Sequence, residues 1–240
     1  MISSKKEKNE MIRVFIGFDS KEVVAFNVLS HSINRKSSIP VAISPVALNQ
    51  LSNVFTRERN SLQSTEFSFS RFLVPYLCNY EGWALFMDCD MLVLDDLADL
   101  WKLRDENYSL MVVKHNYTPR SEKKFLGHTQ TTYEKKNWSS LMLFNNSKCT
   151  SLTPEYVNAA TGLELHQFKW LADDNQIGEL SNQWNFLVDE DIKREGEPSI
   201  LHYTNGGPYF EDFRNCGFSE EWFEELKFSL SCNNKFINLP

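Results

Sequence analysis

The sequence lacks several features that would place it in a specialised class of protein. Its 240 residues contain no apolar run near the ~20 residues that span a bilayer, and its first ten residues have charge but no apolar signal segment. Its five cysteines show no Cys-x-x-Cys spacing, which favours reduced thiols over a disulfide framework. A net charge of −7 provides no basic surface for nucleic acid. These absences predict a cytoplasmic globular protein that binds no nucleic acid and is at most peripheral to a membrane.

Aromatic side chains, by contrast, are abundant, with 18 Phe, 8 Tyr and 6 Trp. Most of them are expected to fill a core, although sugar-binding sites also use them because the apolar face of a sugar ring packs on an aromatic ring. Since the chain is acidic overall, an anionic substrate would need a local positive group, such as a bound metal ion.

The order of the predicted elements is that of an α/β protein, in which apolar runs alternate with helical periodicity. Strands are predicted at 12–17, 40–44, 83–87, 108–114, 140–145 and 199–203. Helices are predicted at 21–34, 70–80, 97–103, 154–160, 164–171, 174–180 and 219–230. After a polar leader over residues 1–11, we expect one domain over 12–240, with a mainly parallel central sheet flanked by helices. A polar insertion is expected between residues 115 and 137.

The strongest candidate for chemistry is the pair Asp88 and Asp90. They directly follow the most apolar predicted strand, at the edge where ligands bind in open α/β sheets. Residues i and i+2 of an extended chain point to the same side, so both carboxylates can face one cation. Carboxylate oxygens suit Mg²⁺ or Mn²⁺. The alternative is that one aspartate caps a helix and the other is solvated. An unpaired Asp88 behind five apolar residues would be costly, which favours the metal site.

His202 is a second candidate, in an apolar strand that leads into the turn Gly206-Gly207-Pro208. The bare backbone of such a turn can approach a phosphate closely. A lone histidine in a strand is more often a satisfied core residue than a ligand. The aspartate pair still needs a third ligand, however, and an imidazole would shift the preference toward Mn²⁺.

Two further polar groups have both a structural and a functional interpretation. Asp174 and Asn175 open a predicted helix, either as an N-cap cluster or as a carboxylate and an amide beside a sugar ring. Arg71 stands among phenylalanines, where it could pair with Asp88, bind an anionic substrate, or stack on a ring at the surface.

Taken in order, these segments resemble the family 8 glycosyltransferases, retaining enzymes with a Rossmann-like GT-A fold. The resemblance extends from the first strand to about residue 212. It rests on residues 15–19, 71–75, 88–90, 137–144, 174–177, 184–185 and 202–209. Each segment alone is a weak signal, whereas their common order is a strong one.

The resemblance implies a metal-dependent enzyme that moves a hexose from a nucleotide sugar, expected to be UDP-linked, to a hydroxyl of a carbohydrate or glycan acceptor with retention. It implies Asp88, Asp90 and His202 as ligands of Mn²⁺ or Mg²⁺, and Arg71, Asp174 and Asn175 as catalytic residues at the reacting sugar. The donor-binding residues that it implies are Phe15, Gly17, Asp19, Asp88, Asn137, Gly206 and Gly207.

One position departs from the family pattern. The family's closing motif carries a lysine before its proline, in contact with the diphosphate, whereas this chain has Gly207. The backbone amides of Gly206 and Gly207, or another cation, would have to replace that lysine.

Two alternative functions remain open on the sequence. A phosphatase of the haloacid dehalogenase type also places Asp-x-Asp after an apolar strand and uses Mg²⁺. In that class the motif normally lies on the first strand, whereas residues 1–87 precede it here. A non-catalytic sugar-nucleotide binder would retain the fold and is favoured solely by the missing lysine.

Overall fold

The computed structural model describes residues 10–59, 63–116, 134–191, 196–232 and 235–236. Residues 1–9 of the predicted leader and residues 117–133 of the predicted insertion therefore lie outside the described residues. The strands are β1 (Ile12–Gly17), β2 (Val41–Val46), β3 (Trp83–Met87), β4 (Met91–Val93), β5 (Leu110–Val113), β6 (Leu141–Asn145), β7 (Ile177–Leu180), β8 (Phe186–Leu187), β9 (Ile200–His202), β10 (Ser231–Cys232) and β11 (Lys235–Phe236). The α-helices are α1 (Val23–Lys36), α2 (Val74–Leu77), α3 (Leu97–Lys102), α4 (Pro154–Ala159), α5 (Gly162–His166) and α6 (Ser219–Ser229).

A six-stranded sheet in the order β2-β1-β3-β6-β5-β7 forms the centre of the fold. β1 is parallel to β2 and β3, and β5 is parallel to β7, whereas β6 is antiparallel to both of its neighbours. β3 and β6 are buried along their whole length. Successive strand residues point to opposite faces, so complete burial means that both faces of the sheet are covered here. The predicted mixed, mainly parallel sheet of an α/β protein is confirmed.

A second sheet of three strands, in the order β4-β9-β8, begins where β3 ends. Asp88, Cys89 and Asp90 separate β3 from β4, so the chain passes from one sheet into the other through the Asp-x-Asp segment. β9 pairs antiparallel with β4 and places His202 opposite Met91. This pairing brings a strand from late in the chain against the end of the most buried central strand.

Helix α6 is fastened to helix α1 by a buried carboxylate. Glu225 is 3% exposed and accepts hydrogen bonds from the guanidinium of Arg35, and its Oε1 lies 2.5 Å from His31 Nδ1. Trp222, on the same helix, is buried as its apolar spacing predicts. The C-terminal helix is thus tied to the helix that follows β1.

The prediction of a helix at residues 174–180 is wrong. Residues Asp174–Gln176 form one 3₁₀ turn, and the four residues that follow are strand β7, paired with β5. Ile177 and Leu180 have a spacing that fits a helix, but the neighbouring strand offers hydrogen-bond partners that outweigh this local preference. Gly178 permits the close approach, because a β-carbon there would stand 2.7 Å from the Tyr108 ring.

Two other predicted helices are shorter than expected. The helix predicted at 164–171 ends at His166, and Phe168 then adopts a left-handed φ of 57°. The helix predicted at 70–80 is a 3₁₀ turn over Ser70–Leu73 that continues as α2, with Pro75 in its first turn. A proline is tolerated there because its missing N–H would have no partner inside the helix.

None of the helices within the described residues is both long and apolar enough to cross a membrane. The cysteine side chains that the structure describes, those of Cys78, Cys89, Cys149 and Cys216, are all free thiols.

Candidate active site

The end of β3 holds the Asp-x-Asp segment in place through backbone hydrogen bonds on both sides. The amide of Asp88 donates to the carbonyl of Ser140 at 2.8 Å, next to β6. The carbonyl of Asp90 accepts from the amide of Tyr203 at 2.9 Å, at the end of β9. The two aspartates are therefore fixed between the central sheet and the small sheet, and each side chain keeps 14% of its surface exposed.

Asp88, Asp90 and His202 converge in space. One ligand atom from each lies within 4.8 Å of the other two, and His202 Nε2 is 3.4 Å from Asp90 Oδ1. The opposite ring nitrogen, Nδ1, lies 3.0 Å from the side-chain oxygen of Asn185. A proton on Nδ1 would be donated to that oxygen, which leaves the lone pair of Nε2 directed at the aspartates.

A divalent cation fits this donor set. Two carboxylates and one neutral imidazole provide oxygen and nitrogen ligands of the kind that Mn²⁺ accepts, and Mg²⁺ prefers the carboxylates. Asn185, which orients the His202 ring, is itself held in place because its Nδ2 donates to Ser140 Oγ at 2.9 Å. A metal ligand held by an outer hydrogen-bond network is the usual arrangement around metal sites.

Arg71 is a buried cation at the edge of the cluster, 5% exposed. Its Nη1 donates to Asp88 Oδ1 at 2.6 Å and to the carbonyl of Ser139 at 2.9 Å. The guanidinium carbon lies 5.1 Å from the ring centroids of Phe67 and Phe86. Of the interpretations of Arg71 offered by the sequence, the geometry fits the pair with Asp88 and does not fit an exposed surface residue.

The end of β1 provides a close backbone approach, and the segment after it provides a buried carboxylate. Asp19 is 1% exposed, and its two oxygens accept the amides of Lys21 and Glu66, both at 2.9 Å. Gly17 packs directly on Phe67, whose ring would stand within 2.5 Å of a β-carbon at this position. Phe15 belongs to the hydrophobic core of the central sheet.

Asn137 is hydrogen-bonded to the segment that leads from His202 into the glycine turn. Asn137 has a left-handed φ of 66° where the 3₁₀ turn Trp138–Ser140 begins, and its Oδ1 accepts from Thr204 Oγ1 at 3.5 Å. In the turn after His202, the amide of Gly206 donates to the Tyr203 carbonyl at 2.8 Å, so it is already engaged. Within the described residues the amide of Gly207 donates to no acceptor.

Glu22 belongs to the same acidic neighbourhood and was not predicted from the sequence. It is 1% exposed, and its Oε2 accepts from the Tyr209 hydroxyl at 2.5 Å. Burial, followed by the nearby charge of Asp90, raises the pKa of Glu22 to about 8, so the carboxyl group is largely protonated at neutral pH. Its position three residues after Asp19, directly before α1, resembles an ordinary helix start and gave no signal of a site.

Residues 5–153 match the sequence profile described as Glycosyl transferase family 8, which covers more than half of the chain. The chain belongs to glycosyl transferase family 8. It is therefore classed as a glycosyltransferase, and the phosphatase alternative is set aside. The matched stretch contains Asp19, Arg71, Asp88 and Asp90, whereas His202 and the glycine turn lie beyond it.

The relatives of this family 8 chain include Protein CDI of Arabidopsis thaliana, 45% identical over 223 residues, which are 90% of this chain and 86% of that protein. The apo-form glycosyltransferase GlyE of Streptococcus pneumoniae TIGR4 superposes with a TM-score of 0.61 at 19% identity, over 92% of this chain and 61% of GlyE. The chain thus spans less than two thirds of GlyE. The galactosyltransferase LgtC, solved with donor and acceptor sugar analogues, superposes with a TM-score of 0.58 at 12% identity, over 92% of this chain and 97% of LgtC. These structural likenesses show the GT-A fold.

Asp174 and Asn175 of this family 8 chain lie outside the metal cluster. Both are exposed, and Asp174 Oδ1 is 2.5 Å from Lys135 Nζ, which also donates to the carbonyl of Gln167 at 3.0 Å. The neighbouring Asp173 provides the cap of the 3₁₀ turn, accepting the amide of Asn175 at 2.8 Å. Asp173 is therefore the residue that caps the turn, whereas Asp174 forms an ion pair with Lys135.

His166 is a second residue near the cluster that sequence reasoning missed. Its Nδ1 lies 2.7 Å from Ser139 Oγ, in the residue whose carbonyl binds Arg71. Its ring packs edge-on against Phe72, with centroids 5.3 Å apart. Burial, with the added effect of the Arg71 charge, lowers the pKa of His166 to about 3, so the imidazole is neutral beside the guanidinium.

Proposed function

We propose that this glycosyltransferase moves a hexose from a nucleotide sugar, UDP-linked, to a hydroxyl of a carbohydrate or glycan acceptor, with retention and with Mn²⁺ or Mg²⁺ as cofactor. The observation that carries the proposal is the convergence of Asp88, Asp90 and His202 at the end of β3, with Arg71 bound to Asp88. The donor diphosphate would lie over these residues, at the carboxyl edge of the sheet.

The chain's own residues have distinct parts in this reaction. Asp88, Asp90 and His202 would hold the cation, which when bound neutralises charge on the departing nucleoside diphosphate. Arg71 keeps Asp88 oriented and adds a fixed positive charge beside the diphosphate. Asp19 fixes the loop after β1, where the nucleotide would lie, by accepting two backbone amides.

The transfer itself exchanges one bond at the anomeric carbon for another. The bond to the diphosphate oxygen breaks as the bond to the acceptor oxygen forms on the same face, and a phosphate oxygen takes the acceptor's proton. The anomeric carbon becomes oxocarbenium-like on the way, as in glycoside hydrolysis. Asp174 and Asn175 are assigned to the transferred ring, with Lys135 orienting the Asp174 carboxylate.

The deciding experiment is a thermal-unfolding panel of nucleotide sugars, with and without Mn²⁺, followed by donor hydrolysis. A ligand present at 100 times its dissociation constant stabilises the native state by about 2.7 kcal/mol, which raises the melting temperature by several degrees. We expect a metal-dependent shift with a UDP-hexose, and slow release of UDP.

Asp88→Ala and Asp90→Ala should abolish the metal-dependent shift and the hydrolysis. Asp99→Ala is the matched control, because Asp99 is an exposed carboxylate on α3 that pairs with Lys102. Full activity of the Asp88→Ala or Asp90→Ala protein in the presence of a chelator would contradict the metal site. Tight binding of UDP by the wild-type protein with no donor turnover would favour the non-catalytic binder.

A further inference from the structure

The turn that follows His202 is closed by a tyrosine. Tyr209 folds back over Gly207, so a β-carbon at position 207 would stand 2.9 Å from the ring atoms Cδ1 and Cζ and closer still to Cε1. The ring also packs against Trp222 of α6, with centroids 5.4 Å apart. A side chain at position 207 and the observed position of Tyr209 are therefore mutually exclusive.

The hydroxyl of Tyr209 fixes this arrangement from the other side of the site. It donates to Glu22, immediately before α1, at 2.5 Å. Glu22 lies close enough to Asp90, Asp19 and Asp88 for their charges to act on it. The Glu22–Tyr209 hydrogen bond thus connects the segment after β1 with the turn after β9, near the carboxylate of Asp90.

Of the two glycine amides in the turn, one is then left for a ligand. The amide of Gly206 donates to Tyr203, whereas the amide of Gly207 donates to no acceptor within the described chain. Its position is set from two directions, by His202 at the start of the turn and by the Tyr209 ring packed against it. A backbone N–H held next to a cation site is a suitable donor to a phosphate oxygen.

We propose that Tyr209 is a positioning residue that, through its bond to Glu22, holds the Gly207 amide in place to bind the diphosphate of the donor. The inference rests on the proposed function, since it requires a nucleoside diphosphate in the site. It also explains how this chain can lack a cationic side chain at position 207: the ring fills the space, and a neutral backbone donor takes the contact.

The test compares the binding of UDP and UMP, each with Mn²⁺, to the full chain by titration calorimetry. The two ligands differ by the outer phosphate. A defect at the Gly207 amide should therefore weaken the binding of UDP and change the affinity for UMP by less than about twofold. Tyr209→Phe keeps the ring and removes the hydroxyl. We expect it to weaken the binding of UDP about tenfold, because without the Tyr209–Glu22 hydrogen bond the Gly207 amide is no longer held in place to donate to the charged diphosphate.

A double-mutant cycle tests the steric argument. Gly207→Ala should weaken UDP about tenfold in the wild-type background, because the new methyl group displaces the Tyr209 ring. In a Tyr209→Ala background the space is open, so adding Gly207→Ala should change UDP affinity by less than about twofold. Phe228→Ala is a control on α6, because it replaces an exposed aromatic residue outside this turn.

The possible outcomes separate the two claims. Unchanged UDP binding in Tyr209→Phe, equal loss of UDP and UMP, or additive effects of the two alanine substitutions would each overturn the positioning role. If Tyr209→Ala does not fold, Tyr209→Phe alone decides. A wild-type protein that binds neither UDP nor any other nucleoside diphosphate with Mn²⁺ would instead refute the proposed function itself.

Discussion

The close contact between Gly17 and Phe67 gives a prediction that joins stability to the site. A β-carbon at position 17 would lie within 2.5 Å of ring atoms of Phe67, which is 1% exposed. Carbon atoms in contact need about 3.5–4.0 Å, so Gly17→Ala forces the ring to move by about 1 Å or more. Gly17 is an ordinary strand residue of β1, so an alanine there would have no unfavourable dihedral angle. The penalty is therefore steric.

The magnitude follows from what surrounds the ring. Phe67 lies between Gly17 and two groups that are themselves buried, the ring of Phe86 at 6.3 Å and the guanidinium of Arg71 at 5.1 Å. Overpacking of this kind costs about 1–3 kcal/mol, and the buried neighbours favour the upper end. At about 2–4 °C per kcal/mol for a chain of this size, the melting temperature should fall by about 6–12 °C.

Thermal unfolding of the metal-free Gly17→Ala protein measures this loss of stability. Metal affinity provides a second readout, because a displaced Arg71 would no longer hold the carboxylate of Asp88 in place. In a Phe67→Leu background the ring is absent, so the further cost of Gly17→Ala should fall below about 1 kcal/mol. A Gly17→Ala protein as stable as the wild type, or an equal penalty in both backgrounds, would refute the reasoning.

Three further outcomes are expected. Asp174→Asn should lower kcat for transfer at least tenfold with UDP affinity unchanged if the carboxylate stabilises the reacting ring, and an unaltered kcat would remove it from the site. The raised pKa of Glu22 means that the folded, metal-free protein holds this proton more tightly than the unfolded chain does, for which the ordinary value is 4.5. The free energy of unfolding should therefore decrease as pH rises from about 4.5 to about 8, and denaturant titrations of Glu22→Gln should show a slope flatter by on the order of 1 kcal/mol per pH unit. Asp96→Ala removes the helix cap that accepts the amide of Ala98 at 2.9 Å, so it should lower the free energy of unfolding by about 1 kcal/mol in the same titrations. Replacing an exposed carboxylate such as Asp99 with alanine should lower it much less.

The parts of the fold that could be predicted are those with local signals. The apolar run of β3 predicts a strand buried on both faces, and the aspartates directly behind it predict a cation site at the strand's end. α1 and α6 were predicted within about two residues because their apolar spacing extends over several turns. β7 was not, because four residues with two apolar positions fit either element, and the pairing with β5 decides between them.

The parts of the site that could not be predicted depend on contacts between distant segments. Glu22 and Tyr209 are separated by 187 positions in the sequence, and although Tyr209 ends the family-like segment 202–209, Glu22 belongs to none of the segments that carry the resemblance. His166 meets Ser139 because α5 ends against the turn before β6, which no periodicity specifies. Hydrogen bonds of this kind join segments that only the tertiary fold brings together, so composition and local spacing do not specify them.

The pairing of β9 with β4 means that an ion held by Asp88, Asp90 and His202 would act as a cross-link. It would join the end of the N-terminal strands to a segment from the C-terminal third of the chain, and closing so long a loop removes conformational entropy from the unfolded state. Mn²⁺ should therefore protect the region that contains α6 from limited proteolysis, even though that helix contributes none of the three ligands.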